Sequence, residues 1–208
     1  MTILDKALTA MTPQVAPEAK TEARRKAQEA AQPGDWLSQI LGHHDAIDQA
    51  FAAVKGAQDA NGRREAQRAL ALHLTAHAIA EEAVIYPAMA DTGRTFSAEI
   101  AYNEQAAMKM FMAALERLEP LEADYLDKLQ HLERAIASHV HQEESDWLPL
   151  LKEKAPAEEQ ARMTERYGEE YARYANGGQE RAQDLSPEPR SEPRTLEEPR
   201  SFASDADF

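Results

Sequence analysis

The sequence predicts an all-α protein: an up-down-up-down four-helix bundle with an N-terminal extension, an extra C-terminal helix and a disordered tail. Three observations carry that expectation. Glycine is scarce, at 8 of 208 residues; Ala, Glu, Leu and Gln are abundant, and no run alternates apolar and polar residues as a half-buried strand does. Four stretches of roughly 20–30 residues, or about 30–45 Å of helix, place apolar residues three and four apart. Short connections join them, which favours antiparallel neighbours. The pattern H-x3-E-E-x4-P also occurs twice, at His77…Glu81-Glu82…Pro87 and at His139…Glu143-Glu144…Pro149. Helix positions i and i+4 share a face, so each copy aims one imidazole and one carboxylate at the same point.

Residues 1–34 form the extension. Glu18 to Gln32 is Ala- and charge-rich without an apolar stripe, which reads as a solvated or frayed helix. Pro33-Gly34 punctuates the chain, and Asp35 is placed to cap the helix that follows. The bundle is expected over 35–155. Its first helix, Trp36 to Gly56, carries Leu37, Ile40, Leu41, Ile47, Phe51 and Val54 on one stripe with His44, while His43 points a quarter-turn away. Asn61-Gly62 reads as a turn. The second helix, Arg63 to Ala90, has Leu70, Leu74, His77, Glu81, Val84, Ile85 and Ala88 in register; His73 reads as a partly exposed surface group. Pro87 removes a backbone donor and is expected to kink the last turn.

Asp91-Thr92-Gly93 breaks the chain again. The third helix, Ser97 to Leu118, aligns Tyr102, Gln105, Met108, Met112 and Leu115, with Glu104, Phe111 and Leu118 on the adjacent line; the methionines read as core filler. After Pro120 the fourth helix, Glu122 to Lys152, aligns Leu129, Leu132, Ile136, His139, Glu143, Trp147 and Leu150, and His131 and His141 are expected in solvent. Residues 156–176 form one more helix with Met163, Tyr167, Tyr171 and Tyr174 available to dock. Residues 177–208 repeat Glu-Pro-Arg three times among Ser and acidic residues, which predicts a disordered, solubilising tail or a partner-binding one.

Composition narrows the chemistry. With no cysteine, disulfides, thiolate metal sites, iron–sulfur clusters and a cysteine nucleophile are excluded. A net charge of −14 argues against nucleic acid as the main partner, and no apolar run reaches membrane-spanning length. Met1 to Ala10 lacks the order of a signal peptide, so the cytoplasm is the expected location. No Ser-His-Asp order, phosphate loop or dinucleotide motif is visible. One buried His–Glu pair needs no metal. Two copies, joined by His44, would leave several titratable groups sharing a dry core, at several kcal/mol each unless compensated. A divalent cation compensates directly. Imidazole and carboxylate without thiolate suit iron, zinc or manganese. Two central carboxylates suit a pair of ions, with Glu81 and Glu143 as bridges and the histidines as terminal ligands.

Ferritin-like diiron proteins use Glu-x-x-His, with the reverse order and a different spacing. Residues 35–155 instead resemble the hemerythrin-like, HHE cation-binding family. The resemblance rests on His44 with Asp45-Ala46-Ile47, on His77…Glu81-Glu82…Tyr86-Pro87 and on His139…Glu143-Glu144…Pro149. It implies a four-helix bundle holding a non-haem diiron centre. Binding of oxygen or nitric oxide, redox or iron sensing, and handling of reactive oxygen and nitrogen species are the functions it implies, with a small diatomic or a peroxide as partner. One departure stands out. Members carry a His on the third helix, often after a Glu, and here the stretch is Asn103-Glu104-Gln105; oxygen carriers have a second His four residues on, where Lys109 stands. The chain therefore looks unlike a reversible oxygen carrier. Gln105 through its amide oxygen, Glu104 as a carboxylate, or water completes that side of the site, or one of the two metal positions is too weak to fill. Tyr102 is expected nearby as a hydrogen-bond donor or redox-active group.

Overall fold

A computed structural model describes residues 14–184. Among them all regular structure is helical. The elements are α1 (Pro17–Ala30), α2 (Trp36–Gly56), α3 (Ala60–Ala80), a π turn π1 (Glu81–Ile85), α4 (Tyr86–Met89), a second π turn π2 (Ala90–Arg94), α5 (Thr95–Leu115), α6 (Ala123–Gln142), a third π turn π3 (Glu143–Trp147), α7 (Leu148–Lys154) and α8 (Ala157–Asp184). No helix among the described residues is long and apolar enough to cross a membrane.

The boundaries follow from local chemistry. Asp35 caps α2 as expected: Oδ1 accepts from the Ser38 N–H at 2.8 Å, and Oδ2 accepts from the Gln32 N–H at 2.8 Å and pairs with Lys152 at 2.7 Å. Gly34 ahead of it has φ 81°, and Gly93 within π2 has φ 85°. Both reversals sit in the left-handed region that a Cβ disfavours. Asn61-Gly62 is not a turn. Asp59 accepts from the Gly62 N–H at 2.9 Å, so the carboxylate starts the helix and these residues form its first turn.

Pro87 and Pro149 act differently from a simple kink. A helical proline clashes with the carbonyl four residues back and donates no hydrogen bond. The chain absorbs each one with a π turn directly upstream, closed by the Tyr86 N–H on Glu81 O and the Leu148 N–H on Glu143 O. Carbonyls inside these turns take side-chain donors: Tyr102 Oη donates to Glu82 O at 2.8 Å, and Lys26 Nζ to Ser145 O at 2.6 Å. The two His-Glu motifs thus end in the same backbone irregularity.

The buried side chains divide into two apolar clusters. One gathers Trp36, Leu37 and Ile40 of α2, Ile85, Tyr86, Ala88 and Met89, Ala98 and Ala101 of α5, and Trp147, Leu148 and Leu151. The other gathers Ile47, Phe51 and Val54 of α2, Leu70 of α3, Phe111 and Leu115 of α5, and Tyr125, Leu129, Leu132 and Ile136 of α6. In α2, α3, α5 and α6 the polar residues of interest fall between the two clusters.

Both flanking helices dock. α1 packs on π3, α2, α6 and α7. The expectation of a solvated helix is wrong because Ala23 and Ala27 are fully covered. Small residues let the backbone approach closely, and charged side chains do the anchoring. α8 lies against α2, α3 and π1, with Met163 and Tyr167 buried, Tyr171 partly buried and Tyr174 exposed. It continues eight residues past position 176, to Asp184. The remainder of the expected tail, 185–208, lies outside the described residues. His131 is buried rather than solvated, with Nδ1 at 2.8 Å from Asp127 O.

Candidate metal centre

The polar residues between the two clusters converge. His44 comes from α2, His77 from α3, Glu81 from π1, Gln105 from α5, His139 from α6 and Glu143 from π3, and all six are buried. His77 and Glu81 keep the i, i+4 relation, with Nε2 3.1 Å from Glu81 Oε2. The second copy repeats it, with His139 Nε2 3.2 Å from Glu143 Oε1. His44 Nε2 approaches the other oxygen of the same carboxylate, Oε2, at 3.3 Å. One ligand atom from each of His44, His77, Glu81 and Glu143 lies within 4.8 Å of all the others.

Each of the three imidazoles turns Nε2 inward and has Nδ1 held from outside. His44 Nδ1 contacts Glu144 Oε1 at 2.7 Å, His77 Nδ1 contacts Tyr167 Oη at 3.2 Å, and His139 Nδ1 contacts Glu104 Oε2 at 2.8 Å. Metal-binding histidines are held in this way, because the outer bond fixes the tautomer and makes the inner nitrogen a better donor. Glu144 is in turn gripped by Arg24 of α1, through Nε at 3.1 Å and a second nitrogen at 2.9 Å.

The inward atoms are left short of partners. His44 Nε2, Glu81 Oε1, Glu143 Oε2 and Gln105 Oε1 are buried and make no hydrogen bond. Orphaned buried atoms of this kind are uncommon and costly. Nitrogen and carboxylate oxygen around one point are the donors that iron, manganese or zinc takes. The residues present therefore fit a metal centre.

Without an ion, the cluster balances its charge with protons. Burial pushes His44 down, but Glu143 and Glu144 outweigh it and raise the group to about 9. Burial likewise opposes His139, and Glu143 and Glu104 carry it well above the usual histidine range. His77 goes well below that range, through burial first and then the charge on His44. Burial and then Glu143 raise Glu81. Burial pushes Glu143 up too, yet His139 and His44 hold it ionised, well below the carboxylate range.

The expected site residues are thus placed unequally. His44, His77, Glu81, His139 and Glu143 come together, and Gln105 joins them with Nε2 donating to Glu81 Oε2 at 2.8 Å. Glu104 does not turn inward; it holds His139 from outside and accepts from Gln142 Nε2 at 3.0 Å. Tyr102 is also outside, with its ring edge-on to Tyr86 at 5.1 Å between centroids.

The hemerythrin HHE cation binding domain matches residues 37–151, a span that contains all six converging residues. The chain belongs to that family. A protein named DNA nickase from Nostoc sp. (strain PCC 7120 / SAG 25.82 / UTEX 2576) is 26% identical over 128 residues, 62% of this chain and 35% of that protein. The chain therefore spans about a third of that relative's length. No solved structure matches the chain.

Within this hemerythrin HHE domain, several contributors escaped sequence reasoning. Tyr86 is fully buried, with its hydroxyl 3.1 Å from Glu81 Oε2, 3.3 Å from Glu143 Oε1 and 3.2 Å from His139 Nε2. Helical spacing alone does not put a residue at i+5 beside Glu81; the π turn does, and the proline at 87 was the signal for it. Glu144 was legible as the second residue of the Glu-Glu doublet. Tyr167 lies 90 positions from His77, and Arg24 reaches His44 only through Glu144, 120 positions away, so no spacing rule reaches them.

Proposed function

We propose that the chain is a non-haem iron protein with two ions per chain whose centre binds or reduces a small molecule, O2, NO or a peroxide. The observation that carries this reading is the converging set of inward Nε2 atoms and buried carboxylates, in which Glu81 Oε1 and Glu143 Oε2 make no hydrogen bond. Glu143 faces His44 with one oxygen and His139 with the other, at 3.3 Å and 3.2 Å, which supports a bridging role. When bound, the metal supplies the Lewis-acid and redox chemistry; the chain orients it, excludes bulk water and holds the outer imidazole nitrogens.

The surroundings support a reactive site. A cavity of about 190 Å³ is lined mainly by apolar side chains, among them Ile47, Leu74, Met108, Met112, Ile136 and Val140, and its wall also includes His77, Gln105 and His139 with Thr75, Lys109 and Glu116. A mainly apolar cavity beside the site suits a small, weakly polar molecule better than an ion. Lys109, where an oxygen carrier would place its second imidazole, pairs with Glu82 instead. Reversible oxygen carriage is therefore not the reading. The architecture that goes with it is an up-down-up-down bundle of α2, α3, α5 and α6. Alternation of their ends between the two apolar clusters supports that arrangement. Nicking of DNA is left with the relative that bears that name, since the shared region covers 35% of it.

A second reading, a metal- or redox-sensing module, has its own observation. Both flanking helices touch the histidines, α1 through Arg24 and Glu144 and α8 through Tyr167. Occupancy would then be felt by segments outside the bundle. Metal analysis of chain produced with iron and zinc, with absorption spectra before and after air exposure, tests the first reading. About two iron per chain with near-ultraviolet charge-transfer bands supports it; zinc alone, or one ion, refutes it. Metal-dependent protection of α1 and α8 from proteolysis is the mark of the second, a zinc-filled structural bundle being the outcome if neither appears.

A further inference from the structure

The two motif copies differ at one position beside the site. Five residues after Glu81 stands Tyr86, and five after Glu143 stands Leu148. Both are fully buried at the end of a π turn. Leu148 packs in the apolar cluster with Trp36 and Leu151. The Tyr86 ring shares that cluster, but its hydroxyl stands among the inward donor atoms. Its separations from Glu81 Oε2, His139 Nε2 and Glu143 Oε1, 3.1 to 3.3 Å, match those between the His and Glu atoms themselves, 3.1 to 3.3 Å. Gln105 Nε2 donates to the same hydroxyl.

A phenol has one proton and two lone pairs. Here its oxygen lies against Glu81, Glu143 and His139 at once, at 3.1 to 3.3 Å from each. Spacing of about 3 Å among several oxygens and nitrogens is what a set of donors keeps around a shared ion. We propose that Tyr86 is a metal ligand, giving its oxygen to the ion held by Glu81, Glu143 and His139 on the side where the third helix lacks an imidazole. This assignment rests on the metal reading of the site. On binding, the Tyr86 O–H bond breaks and a metal–oxygen bond forms. The proton leaves to solvent with those displaced from the histidines, and no electron moves. A phenolate is a hard, anionic oxygen donor, so it favours ferric iron among the candidate ions. Gln105 then has a defined task. Its amide donates to Tyr86 Oη and to Glu81 Oε2, holding two ligand oxygens in place, and it need not ligate.

The test uses the full chain loaded with iron in air, with iron content measured on each sample. Tyrosinate bound to ferric iron gives a visible charge-transfer band, and excitation in that band enhances the ring vibrations in the Raman spectrum. Expected are the band in the native chain, Raman lines that shift when tyrosine is ring-deuterated, loss of both in Tyr86→Phe, and their retention in Tyr102→Phe and in Tyr125→Phe, whose hydroxyl meets Gln67 away from the site. Ferric iron without the band overturns the assignment and leaves the metal reading standing. A band that survives Tyr86→Phe, or vanishes in Tyr125→Phe at equal iron content, also overturns it. Failure to take up any ferric iron refutes the metal reading and this ligand together. If Tyr86→Phe does not fold, the two control variants decide: retention of the band in both supports Tyr86, and loss in either one refutes it.

Discussion

Replacing Arg24 by Ala tests how far the N-terminal helix reaches into the site. Arg24 spans from α1 to Glu144, to Leu41 O at 3.0 Å and to Asp45 at 2.6 Å. Glu144 is 4% exposed and touches His44 Nδ1 at 2.7 Å. Truncation leaves that carboxylate buried with the imidazole as its remaining partner. Breaking a fully buried ion pair costs about 3–5 kcal/mol. The Arg24 side chain is 19% exposed, so water relieves part of the loss, and ~2–3 kcal/mol is expected. At about 2–4 °C per kcal/mol for a chain of this size, Tm of the metal-free protein falls by about 5–10 °C. The same change frees His44 to turn, so metal affinity drops by about tenfold, the low end for groups that orient a ligand. Arg24→Lys restores the charge without the two-pronged grip and recovers part of both. Asp45→Ala removes an exposed partner and stays within ~1 kcal/mol. Thermal denaturation without metal and a chelator competition with metal give the two numbers. An Arg24→Ala chain with unchanged Tm and affinity refutes the coupling of α1 to His44.

The other expectations concern protons, caps and the third helix. His44 rises from 6.5 to about 9 in the metal-free chain, so its contribution to stability is complete below 6.5 and is lost as pH rises through 9. Metal affinity moves the opposite way over that window, because the ion competes with the same proton; denaturation and metal titration from pH 6 to 9.5 read the two slopes. Asp35 is pushed up by burial but held below the carboxylate range by Lys152 and the N–H groups of Ser38 and Gln32. Asp35→Ala should cost about 1–2 kcal/mol at neutral pH. Its difference from the native chain should vanish as acid protonates Asp35, measured by urea denaturation. Gln105→His supplies a third-helix imidazole; with Tyr86 completing that side as proposed, metal retention against chelator should not improve, and tighter retention would mean that the side was open.

The long amphipathic stripes made most of the fold legible. Trp36–Gly56 was read to the residue, and His77-Glu81 and His139-Glu143 emerged as inward pairs because spacing and burial agree along a single helix. What stayed hidden depends on partners distant in sequence or on broken periodicity. The Ala23 and Ala27 face of α1 is too narrow to register as a stripe, and it holds because Arg24 and Lys26 meet π3. Tyr86 sits off any 3.6-residue face, and only the π turn ahead of Pro87 swings it inward. His131 was misplaced because its burial comes from neighbouring helices, which no single-helix pattern reports.

The doubled motif does not make a symmetrical centre. His44 and His139 are backed by carboxylates, Glu144 and Glu104, whereas His77 is backed by a phenol, Tyr167. An imidazole with an anion behind it holds a proton or a cation more strongly than one with a neutral hydroxyl behind it. The metal-free chain already displays the difference, since His44 and His139 are raised while His77 is lowered. Charge follows the same line: Glu143, between the two raised histidines, stays ionised, and Glu81, beside the lowered one, takes up a proton. Under the proposed two-ion reading the Glu81 half has the weaker anionic backing, and the proposed Tyr86 ligand would add to it. Among the buried groups beside Glu81, the Tyr86 hydroxyl is the one able to become an anion, since Gln105 carries an amide that stays neutral.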